Sequence, residues 1–409
     1  MSDLTRINHM IDSYRHAMID LQIRLCATPA IAPASGGEGE AQKAEILLEY
    51  LRANGFDSID LIKTPDLDAS CGYRPNIIAK YSGHSSQKTI WIMTHMDVVP
   101  PGELALWRGN PFHAWVEGGK IYGRGVEDNQ QDMVASLFAV KAFCDTGLLP
   151  RYDVGLALVA DEEMGNQKGI DYVLRHTDYF REQDLIIVPD AGNAEGTQIE
   201  VAEKSILWLR FETIGMQTHG STPEKGANSF KAAAYLITEL DRLYRLYGDA
   251  DPIFEPNIST FEPTKKENNV PNINTIPGDD IFYMDCRILP RYDIEEVMGK
   301  IRGIADAVAQ RSGVEIRIEE IQNSPAAPPT SPEAPVVRAL QKAIGDIYGK
   351  TGKPVGIGGG TVAGYFRRAG FAAACWSRNE ETAHQPNESC VIDNMLGDAK
   401  VFAHIFLQP

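Results

Sequence analysis

The chain is poor in the features that would send it to a membrane, a nucleic acid or an oxidising compartment. It has no apolar run of about 18 residues, which excludes a helical membrane span. Positive charge is scarce: 39 Lys and Arg stand against 56 Asp and Glu, a formal net charge of -17. That balance argues against a nucleic-acid or anionic-membrane partner, but it says little about a small substrate, because the local field in a cleft need not follow net charge. The N-terminal residues lack the basic-then-apolar order of a signal peptide; residues 4–25 mix Arg6, Asp12, Arg15 and Asp20 into an amphipathic helical pattern. The six cysteines, Cys26, Cys71, Cys144, Cys286, Cys375 and Cys390, are scattered with no Cys-x-x-Cys pair. They are expected as free thiols in a reducing cytoplasm. Low-complexity repeats are also missing.

Hydrophobic content of 43% and charged content of 23% describe a soluble globular chain, and 409 residues are too many for one ordinary core. Apolar runs alternate with helical spacing. Helices are expected at 38–55, 128–146 and near 168–180, and strands at 74–82, 88–95, 154–160 and 185–188. Nearly continuous apolar strands between helices predict an α/β fold, a mostly parallel sheet flanked by helices on both faces. The style changes near Glu203. A strand at 205–214, a long helix at 227–247, strands at 257–262, 271–276 and 281–289, a helix at 293–311 and a strand at 314–321 give the order of an inserted α+β split β-α-β domain. The proline-rich stretch from Ser324 to Pro335 reads as a linker. Helices at 335–348, 362–369 and 391–406 and strands at 353–357 and 372–376 then resume the first pattern. The expected organisation is a catalytic domain of residues 1–203 and 325–409, interrupted by a smaller domain at 204–324.

Chemistry gathers at the strand ends. The run Thr89-Ile90-Trp91-Ile92-Met93 leads into Thr94-His95-Met96-Asp97, where the imidazole can ligate a metal and the carboxylate can take the other ring proton. A second apolar run ends in Asp161-Glu162-Glu163, and a third in Pro189-Asp190. Gly123-Arg124-Gly125-Val126-Glu127-Asp128-Asn129 is a glycine-bearing turn before a helix, and Ala383-His384 supplies a late imidazole. Each group alone is ordinary: a near-surface histidine, a helix cap, a solvated acid pair. Together they load one sheet edge with negative charge that a cation would relieve. Asp128, Glu163 and Asp190 with neutral His95 and His384 suit two divalent cations, Zn²⁺ with Co²⁺ or Mn²⁺ as alternatives, sharing a hydroxide. Glu162, beside a ligand but free of metal, is the candidate general base.

In this order and spacing, from about Leu25 to the C-terminus, the motifs resemble the co-catalytic zinc hydrolases that include acetylornithine deacetylase, succinyl-diaminopimelate desuccinylase, aminoacylase and carboxypeptidase G. The resemblance implies terminal ligation by His95, Glu163, Asp190 and His384, bridging by Asp128, orientation of His95 by Asp97 and base catalysis by Glu162. It also implies that the inserted domain is a lid that dimerises. His219, in Thr218-His219-Gly220-Ser221, would then stabilise the oxyanion, in its own or the partner subunit. Asn274 and Arg287 resemble substrate anchors, and Gly359, Gly360 and Thr361 of the Gly356–Thr361 stretch a substrate loop. Many members carry a lysine soon after the bridging aspartate; this chain has Asn129-Gln130-Gln131, which leaves subfamily and substrate open. The implied activity is hydrolysis of the amide of an N-acyl amino acid or short peptide. A dipeptidase or carboxypeptidase is the nearest alternative, and a non-catalytic metal- or peptide-binding protein the more distant one.

Overall fold

Thr89–His95 is buried at all seven positions, as a strand covered on both faces and both edges must be. It lies inside an eight-stranded sheet whose order is Ser58–Pro65, Tyr73–Tyr81, Asp153–Val159, Thr89–His95, Leu185–Gly192, Ala373–Ser377, Gln198–Glu203 and Lys353–Ile357. The four central strands run parallel, and their neighbours at Tyr73–Tyr81 and Gln198–Glu203 pair antiparallel. Gly155 faces Trp91 across this sheet. A Cβ there would come within 2.2 Å of the indole, so a glycine is what lets the buried ring lie flat on its neighbour.

This computed structural model describes residues 2–409. The chain forms two compact units: residues up to Val201 with Thr330–Pro354 and Thr361–Pro409, and Ala202–Pro329 with Val355–Gly360. In the first unit, the Gln130–Thr146 helix is buried at every position from Gln130 to Phe143 except Lys141. Such a helix belongs between other layers rather than at the surface. A small antiparallel sheet joins Trp115–Glu117, Lys120–Tyr122 and Ser389–Val391.

The second unit has the order strand, helix, strand, strand, helix, strand, and a sheet ordered Thr260–Lys266, Asp279–Ile288, Ser205–Ile214 and Glu315–Ser324. Its alternating strands turn one face to the helices. Phe211 stacks on Phe282 at 4.7 Å, and both pack into a core with Leu236, Val297 and Ile301. Asp293 caps the Ile294–Ser312 helix by accepting from the Glu295 and Glu296 amides at 2.7 and 3.1 Å.

Three local expectations change. The 4–25 pattern folds as two helices, Asp3–Ser13 and Arg15–Cys26, because Tyr14 turns inward. Its ring meets Phe138 at 5.3 Å and its hydroxyl donates to Asp145 at 2.5 Å, contacts that override local periodicity. The 227–247 helix breaks into Ser229–Leu240 and Leu243–Leu246. Of the 271–276 strand only Thr275–Ile276 pairs, with Thr218–His219. Among the described residues no helix is long and apolar enough to cross a membrane.

Candidate metal centre

Three adjacent strands of the large sheet, Asp153–Val159, Thr89–His95 and Leu185–Gly192, bring their carboxyl ends side by side. This is where an open α/β sheet collects ligands. The first leads into Asp161-Glu162-Glu163, the second ends at His95, and the third carries Asp190. The next strand, Ala373–Ser377, leads into the loop of His384.

His95 is buried, and its Nε2 lies 2.9 Å from Asp128 Oδ1 and 3.4 Å from Asp190 Oδ1. His384 Nε2 lies 3.2 Å from Asp128 Oδ2 and 3.1 Å from Glu163 Oε2. The five side chains therefore form two groups, His95–Asp128–Asp190 and Asp128–Glu163–His384, each with ligand atoms within 4.8 Å of one another. Asp128 belongs to both and gives a different oxygen to each.

The electrostatics match. Burial lowers the His95 pKa, but Asp128, Asp190 and Asp97 outweigh it and hold the ring well above the usual imidazole value. Asp128 and Glu163 push His384 up to about 10. Burial works against the Asp128 carboxylate, yet His384 and His95 hold it well below the usual range. Three carboxylates around two imidazoles make a nitrogen-and-oxygen donor set without thiolate, and one carboxylate is poised to be shared. These residues fit two divalent cations.

Asp97 is fully buried. Its Oδ1 accepts the Glu162 amide at 3.1 Å and its Oδ2 the Glu163 amide at 3.0 Å. For His95 Nδ1 the nearer acceptor is the Asp97 carbonyl, at 3.1 Å; the carboxylate stands at 3.5 Å. Glu162 is half-buried and lies outside both ligand groups. Burial, then Asp190, Asp97 and Glu163, raise its carboxyl well above the usual range, with His95 opposing. Asp161, which precedes it with φ +64, is held from below. Arg74 donates from Nη1 to Asp161 at 2.9 Å and from Nε to Glu40 at 2.6 Å.

The other expected site residues are divided between the two units. His219, Asn274, Arg287, Gly359 and Gly360 belong to the second unit and Thr361 to the first. His219 is exposed, and its Nδ1 accepts from the Ser221 amide at 3.2 Å. That bond assigns the ring proton to Nε2. The Asn274 carbonyl accepts the Gly220 amide at 2.7 Å, which ties it beside His219. The Arg287 fork is already occupied: Nε and Nη2 donate to Asp285 at 2.7 and 3.0 Å, and Nη1 to the Gly358 carbonyl at 2.9 Å. Thr361 Oγ1 donates to Glu200 at 3.3 Å.

Sequence reasoning passed over Glu127 and Glu388. Both carboxylates are buried, and both bind main-chain amides of the segments that carry Asp128 and His384. The one signal available was an extra acid near an expected ligand, Glu127 beside Asp128 and Glu388 four residues after His384, and acids are common in this chain.

The sequence profile of peptidase family M20/M25/M40 matches residues 91–408. An uncharacterized metallohydrolase of Methanococcus maripaludis is 38% identical over 407 residues, covering 95% of this chain and 98% of its own. A succinyl-diaminopimelate desuccinylase of Dinoroseobacter shibae is 30% identical over 306 residues, covering 73% of this chain and 75% of its own. Among solved structures, the aminopeptidase PepT of Bacillus cereus superposes with a TM-score of 0.75 at 17% identity, over 96% of this chain and 98% of that one.

Proposed function

Since the chain belongs to peptidase family M20/M25/M40, metal-dependent hydrolases of amide and peptide bonds, we propose that it removes the acyl group from an N-acyl amino acid at a two-zinc centre. The carrying observation is that Asp128 is common to two ligand groups while Glu162, next to the ligand Glu163, belongs to neither. A relative named for desuccinylation supports an acylated amino acid over a peptide as substrate.

His95, Asp128 and Asp190 would hold one ion, and Asp128, Glu163 and His384 the other. Bound there, the cations would polarise the scissile carbonyl and lower the pKa of water. Glu162 takes the proton of the attacking water on a carboxylate oxygen and delivers it to the leaving amine nitrogen. Asp97 fixes the angle at which Glu162 enters the site by holding the two amides at 162 and 163. His219, in its own or the partner subunit, would donate a hydrogen bond from Nε2 to the developing oxyanion and keep its proton, a role supported by the Ser221 amide on its Nδ1. Dimerisation through the second unit belongs to the same proposal, and a solution mass of two chains is expected.

The test is zinc-loaded protein on a panel of acetyl- and succinyl-amino acids and dipeptides. Glu162→Ala is expected to keep its metal and lose about 10²–10⁴-fold in kcat. Near-native turnover of that variant with metal bound would show that another group is the base. Turnover of dipeptides alone would make the protein an exopeptidase, and bound metal without hydrolysis of any amide would make it a binding protein.

A further inference from the structure

Two carboxylates cross between the Gly123–Asn129 turn and the loop that carries His384. Glu388, four residues after His384 and fully buried, reaches into the turn. Its Oε2 accepts from Arg124 Nη1 at 2.6 Å and the Gly125 amide at 3.0 Å. Its Oε1 accepts the amides of Glu127 at 2.9 Å and of Asp128 itself at 3.1 Å. Glu127, also buried, reaches the other way. Its Oε1 accepts the Glu380 amide at 2.6 Å, and its Oε2 the Thr382 amide at 2.5 Å and the Thr382 hydroxyl at 2.7 Å. Each segment is thus gripped by an acid from the other, and the grip closes next to the pair His384 Nε2 and Asp128 Oδ2, 3.2 Å apart.

Simple cohesion does not call for this choice. The strands that flank the two segments already pair, Ser389 opposite Tyr122. Burying two carboxylates beside Asp128 adds like charge to an acidic site, and Arg124 is the one side-chain cation bonded to either of them among the described residues. Neutral or apolar side chains would join the segments at lower cost. What carboxylates add is the ability to accept several main-chain N–H groups at fixed angles, with two oxygens and no competing donor. Seven donors converge on the two acids, and one of them is the amide of Asp128.

We propose that Glu127 and Glu388 form a reciprocal clasp that sets the separation of Asp128 and His384, and so act as positioning residues of the metal centre. This rests on the assignment of Asp128 and His384 as ligands, and its test separates the two ideas.

The full-length protein is titrated with Co²⁺ against a competing chelator and followed by visible absorption, with far-UV circular dichroism of the metal-free protein as the fold control. Glu388→Gln puts an amide N–H where Gly125 and Arg124, or Glu127 and Asp128, donate. Glu127→Gln does the same to the opposite segment. Each variant is expected to bind Co²⁺ about 10–100-fold more weakly, with altered d–d bands and a lower kcat at saturating metal. In the double variant the loss is expected to be smaller than the product of the two, because one clasp is broken twice. If both glutamine variants keep the parent's affinity and spectrum while Asp128→Asn and His384→Ala lose binding, the clasp is overturned and the ligand assignment stands. If Asp128→Asn and His384→Ala bind Co²⁺ like the parent, the ligand assignment falls and the clasp with it. If both glutamine variants are unfolded without metal, the clasp is a structural strut and its positioning role is overturned.

Discussion

Asp97 does two jobs with different atoms. Its carbonyl is the nearer acceptor for His95 Nδ1, and its carboxylate grips the turn that presents Glu162 and Glu163. Asp97→Asn keeps the carbonyl and the shape but turns one acceptor into a donor facing an amide N–H. An unsatisfied buried group costs about 1–3 kcal/mol, so the turn is expected to move rather than bear it. The expected outcome is a fall of about 10–100-fold in kcat/KM with metal content retained, measured by steady-state kinetics beside metal analysis. An unchanged kcat/KM would remove the carboxylate from the account. The candidate ligands were legible because His95, Glu163 and Asp190 each follow an apolar run, a pattern that strand ends impose. Glu127 and Glu388 were not. Their partners lie about 250 to 265 residues away along the chain, and nothing local separates them from the other 54 of 56 acids.

The Ala41–Ala53 helix shows what periodicity gives and what it hides. Its apolar spacing marks Ala44, Leu47, Leu48 and Leu51 as the inner face, and they are buried. The same face carries Lys43, 1% exposed, with no hydrogen-bond partner for Nζ among the described residues. Burial lowers its pKa to about 8 against the field of Cys26, Asp97, Glu40 and Glu388. In the unfolded chain the lysine stays protonated to about 10.5, the unperturbed value. Between pH 8 and 10.5 the unfolded state therefore binds more protons, and stability rises with pH. At 1.36 kcal/mol per unit, the parent should gain about 3 kcal/mol relative to Lys43→Met across that window. Urea unfolding of both proteins at pH 7.5 and 10.5 reads the difference, and Cys26, present in both, drops out to first order. A pH-independent gap would mean that Lys43 keeps its ordinary pKa. The strand Ser58–Pro65 escaped the pattern for a related reason. It is an edge strand, and its mix of Asp60, Lys63 and half-exposed isoleucines gives no apolar run.

At the scale of the molecule, the change from continuous to alternating strands near Glu203 and the proline-rich return made the interrupted organisation legible. Periodicity does not reveal that Val355–Gly360, a short stretch inside the returning segment, joins the second unit. This division has a thermodynamic consequence. His95, Asp128, Glu163, Asp190 and His384 all belong to the first unit. A metal that binds only the folded state stabilises what it binds by RT ln(1 + [M]/Kd), about 2.7 kcal/mol at a hundredfold excess over Kd. For a unit of this size that is a shift of roughly 5–10 °C. Calorimetry of the full-length protein, stripped by chelator and then reloaded with zinc, is expected to move the transition of the first unit and leave that of the second in place, with hydrolysis lost and regained in step. Near-ultraviolet signals assign the transitions, because Trp208 is the one tryptophan of the second unit while Trp91, Trp107, Trp115 and Trp376 lie in the first. A shift confined to the Trp208 transition would place the metal in the wrong unit. A single transition that moves as a whole would mean that the two units unfold as one cooperative body, and the ligand assignment would then rest on the variants at Asp128 and His384.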